Sequence, residues 1–313
     1  MAMKQVNGSS LQGFTLIELL VSMAIAGIAA GVIINTFISH QNSYRAQLQV
    51  AGLQQNLRTA MSLISDDIRK SGHYTALDGR PHRDYIDWNP EEGGYESFSG
   101  SLYGVNDITG IERYVEHTDL IMIAKSGDDR GRLRYGEHVE RGGRVLRLHD
   151  SDLDNDGDDD LNSSGKRFGI LVKSDLSIAH IFKINAVASG SGGSVSAFHV
   201  SENVPEYYSP GDLIARVDII IYRVDNANPS FPSSVLERKN AGRGNTFQVV
   251  AEDITNIQFA YLLKDGRLVN DPSGEERAIV GVDIQLEGEV NVTGIGVKRR
   301  RLENMVRIRN TVL

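Results

Sequence analysis

Two places in the sequence carry acidic side chains in patterns that could do chemistry. The first is Asp152-Leu153-Asp154-Asn155-Asp156-Gly157-Asp158-Asp159-Asp160. Alternation lets Asp152, Asp154 and Asp156 converge on one cation, Gly157 permits a sharp turn, and Asp160 returns another carboxylate. Asp158 would offer its carbonyl oxygen. So many carboxylates without a cation repel one another, so the expected ligand is Ca2+. A solvated acidic loop is the alternative. The second place is a single residue. Glu18 is the only formally charged side chain between Phe14 and Ser39, and a carboxylate in so apolar a segment either lies near the interface and reaches water or meets a partner.

Catalytic signals are few. The chain has eight histidines and no cysteine, which excludes disulfides, thiolate metal sites and cysteine nucleophiles. No paired-histidine metal motif or nucleophile elbow occurs, and no enzymatic activity is expected. Asp66-Asp67 and Glu91-Glu92 read as a helix surface and a loop. Trp88 with Tyr74, Tyr85, Tyr95 and Tyr103 could line a ligand surface or fill the edge of a small core. The net charge is −8, and Lys298-Arg299-Arg300-Arg301 is the one basic cluster. It reads as a solvated turn between strands, so no nucleic-acid partner is expected.

The elements that would position these groups begin with a helix. As a helix, Phe14–Ser39 would extend about 39 Å, enough to cross a hydrocarbon core of about 30 Å. The run is too long for the apolar region of a cleaved secretory signal, and it continues into a second helical pattern. There Leu53, Leu57, Ala60, Met61, Ile64 and Ile68 recur on one stripe, and Gly72 is placed to cap the end. One long helix is therefore expected from Phe14 to Ser71, apolar in its first half and amphipathic in its second. Gly27 and Gly31 add a small-residue face that permits close helix approach. The short flank before the apolar run has Lys4 as its only charged side chain, which favours a cytoplasmic leader and an exported body.

Beyond about residue 117 the pattern becomes that of strands. Residues 119–125, 144–150, 168–173, 179–184, 194–200 and 216–224 are short and rich in β-branched or aromatic side chains. Residues 257–263 and 267–269 flank Lys264-Asp265-Gly266, whose Asp-Gly is a hairpin signal. Residues 278–286 and 305–310 could close a sheet, whereas 72–116 read as loops with short elements and 189–194 as a turn. The expected fold is α+β, a long N-terminal helix packed on an antiparallel β-rich body.

Gly13-Phe14-Thr15-Leu16-Ile17-Glu18, between a polar leader and an apolar run, resembles the type IV prepilin signal. The resemblance implies that a prepilin peptidase cuts between Gly13 and Phe14 and methylates the new amine. Glu18 would then pair with the Phe14 amine of a neighbouring subunit and set register in a helical bundle. It further implies residues 1–13 as a removed leader, 14–39 as the membrane-spanning half of the helix, 40–72 as its amphipathic half, and 73–313 as the body. The Asp-rich loop would occupy 150–162.

Residues 41–74 and 251–269, with the pattern after them, are similar to PilW-type minor pilins. Residues 75–245 hardly share this similarity, and the cysteine many members carry after the helix is absent. The resemblance implies a structural subunit that helps initiate or cap a type IV pilus. Its partners would be other minor pilins, the major pilin and inner-membrane lipid before assembly, with the body outside the cytoplasm and finally at the cell surface. A J-type pseudopilin of a type II secretion system shares the signal, and an adhesin-like body at a fibre tip is a further reading. The D-x-D-x-D-G-x-x-D pattern itself resembles the calcium loops of thrombospondin-type repeats, with Ser163 where a twelfth-position acidic ligand would stand in an EF-hand.

Overall fold

The computed structural model describes residues 15–72, 101–110, 114–136, 138–150, 161, 168–175, 179–189, 195–200, 203–204, 206–240, 246–292 and 294–309. Two compact units result, Met1–Ala51 with Asn291–Val297, and Gly52–Val290 with Lys298–Leu313.

Helix α1, Leu16–Lys70, runs for 55 residues without interruption. Its apolar first half is exposed along its length, with Leu16, Ile28, Val32 and Phe37 each more than 60% accessible. Length and composition suit it to cross a membrane. From Leu53 the helix is different. Leu53, Leu57, Ala60, Met61, Ile64 and Ile68 are buried, as their spacing predicts. Gly72 stops the helix in the left-handed conformation at φ +82°, the expected cap.

Among the described residues the body holds two antiparallel sheets. The larger contains β1 (Leu102–Ile108), β2 (Thr118–Leu133), β3 (Val145–Asp150), β4 (Phe168–Val172), β5 (Ala179–Ser189), β6 (Val195–Val200), β7 (Leu213–Asp225), β8 (Val235–Asn240) and β9 (Gln248–Glu252). Its order is β1-β2-β3-β6-β5-β4-β7-β8-β9, and an additional β2–β7 pairing closes β2, β3, β6, β5, β4 and β7 into a ring. The 16 residues of β2 make this possible, because Ile121–Ser126 and Arg130–Arg132 both lie along β7 while the strand's end also pairs with β3. Closure removes two exposed edges.

The smaller sheet has the order β11-β10-β12-β13, built from β10 (Ile254–Leu263), β11 (Leu268–Val269), β12 (Ile279–Val292) and β13 (Gly296–Arg307). Its first turn is the predicted Asp-Gly hairpin, with Gly266 at φ +87° and Gly266 N–H donating to Leu263 O. The α1 stripe shares one core with Ile121, Ile220 and Tyr222 of the larger sheet and Phe259, Ile284 and Leu286 of the smaller. Close approaches require glycine at Gly104 and Gly288, among other positions. A Cβ on Gly104 would fall 2.0 Å from the Tyr261 hydroxyl, and one on Gly288 would fall 2.7 Å from Leu53 Cδ1.

Three expectations need correction. Strands β8 and β9 lie where no strand is expected. β8 reads VLERKN, and both Glu237 and Lys239 in it are buried, which erases the apolar alternation a half-buried strand normally shows. Lys298-Arg299-Arg300-Arg301 is not a turn but part of β13; the chain reverses just before it, where Gly294 and Gly296 adopt positive φ. Cations tolerate the strand because carboxylates on β12 meet them, with Arg299 Nε 2.9 Å from Glu289 Oε2 and Arg301 Nη1 3.6 Å from Glu287 Oε1. Asp67 is not on a solvated helix surface. It is buried, whereas its neighbour Asp66 is exposed and pairs with Lys70 at 2.7 Å.

Candidate functional site

The first candidate group stands at the start of α1. Thr15 precedes the helix, and its backbone N–H and hydroxyl both donate to Glu18 Oε2, at 3.0 and 2.9 Å. Glu18 N–H returns a hydrogen bond to Thr15 Oγ1 at 3.3 Å. This reciprocal pair is a capping box, in which a threonine before the helix and a glutamate three residues on satisfy orphan donors of the first turn. The signature T-x-x-E stands in the sequence as Thr15-Leu16-Ile17-Glu18 and gives Glu18 a local partner beside the intermolecular one expected of it. Within one chain the carboxylate therefore has a local role, while remaining solvent-exposed and open to a further partner. Gly13 and Phe14 lie outside the described residues. A Cβ built on Gly27 or Gly31 would meet nothing within 4 Å, so that helix face is open among the described residues.

The second group ties the amphipathic half of α1 to the larger sheet. Asp67 Oδ1 accepts from Lys125 Nζ of β2 at 2.5 Å. Its Oδ2 accepts from the Tyr222 hydroxyl of β7 at 2.6 Å and from Arg238 Nε of β8 at 3.0 Å. Arg238 Nε also lies 3.1 Å from the Tyr222 hydroxyl. Burial alone pushes the Asp67 carboxyl up, but the hydrogen bonds from Lys125, Tyr222 and Arg238 and the Lys125 charge hold it below its ordinary value. Burial, followed by the Asp67 charge, drives the Tyr222 phenol far above its usual range. The hydroxyl therefore stays protonated and donates.

Two further charged clusters serve the fold. Asp119 of β2 is buried and accepts backbone N–H bonds from Asp107 at 2.9 Å and Phe259 at 2.7 Å, joining β2 to both the end of β1 and β10. Burial pushes its carboxyl up, against the pull of those two N–H donors. Arg223 of β7 makes two bonds to Glu237 Oε2 of β8, at 2.9 and 2.8 Å, and lies over the Phe247 ring at 3.7 Å. Cation, carboxylate and ring compensate one another's burial.

Asp152, Asp154, Asp156, Asp158 and Asp160 all lie outside the described residues, as do Ser163, Trp88, Tyr74, Tyr85 and Tyr95. The described flanks of the Asp-rich stretch are β3, which ends at Asp150, and Leu161, which is fully buried. The Leu161 carbonyl accepts from Arg216 Nε at 3.0 Å and Nη2 at 2.6 Å. Arg216 itself lies over the Phe198 ring at 4.5 Å. Among the described residues no cluster of three or more His, Asp or Glu side chains could hold a metal. Tyr103, on β1, is half-buried at the margin of the core rather than presented to solvent.

Residues 9–34 match the family described as prokaryotic N-terminal methylation motif. No curated protein matches the chain. The motif is the type IV prepilin signal and supports a pilin-like or pseudopilin-like subunit, anchored in a membrane by the apolar start of α1. It implies processing by a prepilin peptidase and assembly with other pilins.

Asp67→Ala should cost about 3–5 kcal/mol, because it leaves Lys125 and Arg238 facing each other without their counter-ion. Asp66→Ala, one residue away and exposed, should leave stability nearly unchanged. Because the folded pKa of Asp67 is depressed, its contribution is present above its ordinary 3.8 and is lost as pH falls through the lower, folded value. Urea unfolding of the full chain in detergent, repeated across acid pH, checks both expectations. An Asp67→Ala chain as stable as wild type would remove Asp67 as the anchor of the helix.

Proposed function

We propose that this chain is a minor pilin of the PilW type, a structural subunit that helps initiate or cap assembly of a type IV pilus. The observation that carries the reading is the lone carboxylate Glu18 at the head of an exposed apolar helix, inside the methylation motif. Residues 1–13 are the leader, and cutting after Gly13 creates a cationic amine on Phe14. Residues 14–39 span the inner membrane once before assembly, residues 40–72 carry the helix onto the body, and residues 73–313 stand outside the cytoplasm. Other minor pilins and the major pilin are the partners of the apolar half.

Assembly follows from electrostatics in a medium of low dielectric. Leaving water exposes Glu18 and the Phe14 amine to a desolvation cost that each offsets for the other only when neighbouring helices stand in one axial register. The capping box supports this division of labour. Thr15 holds the Glu18 carboxylate at the very start of the helix through one oxygen, Oε2, in each of its two donated bonds. Its second oxygen is free of Thr15 and available to a neighbour's amine.

The Asp-rich stretch is proposed to hold one Ca2+ through Asp152, Asp154, Asp156 and Asp160 with the Asp158 carbonyl. Its support is the residue pattern.

Deleting the chain should abolish surface pili, scored by electron microscopy, while protein secretion stays normal. The reverse outcome, normal pili with lost secretion, would assign it instead to the pseudopilus of a type II secretion system. Complementing the deletion with Glu18→Gln separates charge from capping, since glutamine also closes a capping box. Glu18→Gln should reach the membrane yet fail to restore pili; full restoration would remove the charge from the assembly mechanism. Millimolar Ca2+ should raise the melting temperature of the full chain, and an equal rise with Mg2+, or none, would contradict a calcium site.

A further inference from the structure

The basic run of β13 has an unusual setting. β13 ends the smaller sheet, with β12 as its neighbour on one side and no strand on the other among the described residues. It is 12 residues long, where short strands or closure blunt most such edges. Arg299, Arg300 and Arg301 line, together with Glu287 and Glu289 of β12, a cleft of about 440 Å3. Arg299 pairs with Glu289, and Arg301 with Glu287 and, at 2.7 Å, Glu303. Arg300 differs. It is exposed, and its guanidinium donates only to the Arg299 carbonyl, at 3.0 Å, with no carboxylate partner among the described residues. Lys298 beside it also has no carboxylate partner among those residues. In a chain of net charge −8 this edge keeps a positive surplus.

We propose that β13 is a docking edge for an extended acidic segment of another pilin-like subunit. The inference rests on the assembly role proposed above. The incoming segment adds a strand to the free side of β13 through backbone hydrogen bonds, and one of its carboxylates enters the cleft to pair with Arg300. Charge selects this occupant over a second copy of the same edge. Two β13 strands laid together would bring Lys298 to Arg301 against like charges, whereas an acidic strand supplies what Arg300 lacks. The paired arginines on either side set the register without repelling the newcomer, because Glu287, Glu289 and Glu303 already neutralise them.

The test uses the full chain in detergent micelles and a fluorescent, end-capped peptide of alternating Glu and Thr, followed by anisotropy. Four companions go with it: the same peptide with Lys in place of Glu, the Glu peptide with every amide N-methylated, and the variants Arg300→Glu and Arg300→Lys. The Glu peptide should bind and the Lys peptide should not. Arg300→Glu should weaken binding about tenfold or more, and Arg300→Lys should retain most of it. N-methylation of every amide should abolish binding, because neither edge of such a peptide can donate to β13. Failure of the Glu peptide to bind, equal binding of the Lys peptide, or indifference to N-methylation would overturn the proposal. Incorporation of the wild-type chain into fibres is read separately. A chain that enters fibres but ignores the peptide loses only the docking edge, and one that binds the peptide but never enters a fibre loses only the assembly role.

Discussion

A carboxylate survives burial only where cations and donors reach it, and the body is arranged around one such case. Asp67 takes Lys125 from β2, Tyr222 from β7 and Arg238 from β8, so a single side chain of α1 gathers three strands of the larger sheet. Apolar packing alone would hold the helix without fixing its rotation or its height on the sheet. The charged cluster fixes both, since a shift by one turn would leave the buried Asp67 and Tyr222 unmatched and separate them from the half-buried Lys125 and Arg238. The Leu53-to-Ile68 stripe supplies most of the driving force, and Asp67 supplies the address.

The same helix uses its two singled-out carboxylates in opposite ways. Asp67 is saturated within the chain and has nothing left for a partner. Glu18 is satisfied locally by Thr15 and stays exposed at the head of an apolar surface that none of the described residues covers. That surface is costly in water and comfortable in lipid or in a bundle of similar helices. Internal completeness at one end and incompleteness at the other are what an assembling subunit needs, a rigid body carried on a helix whose remaining contacts come from neighbours.

How much of this the sequence reveals depends on where charge sits. Apolar periodicity exposes α1 to within two residues at each end, and Asp265-Gly266 exposes the β10–β11 hairpin, because in both cases local chemistry and tertiary environment agree. Agreement fails at buried charge. Glu237 and Lys239 hide β8 by interrupting its alternation, Asp67 passes for surface beside the truly exposed Asp66, and Lys298–Arg301 passes for a turn because the carboxylates that let it form a strand lie on β12. Each partner is remote in sequence, so periodicity cannot see it. The ring closed by β2 and β7 is likewise a matter of pairing, invisible in either strand alone. The Thr15–Glu18 capping box is a local motif, legible from T-x-x-E alone.

A processed, assembly-competent pilin-like subunit has a defined first residue, so the N-terminus of the chain in its own membranes tests the proposed assembly role. Mass spectrometry of the protein taken from the membranes of its own cells should find the first residue to be N-methylated Phe14, with residues 1–13 gone. A chain that keeps Met1, or begins anywhere other than Phe14, would contradict the account. It would leave Glu18 as no more than the cap of an anchoring helix.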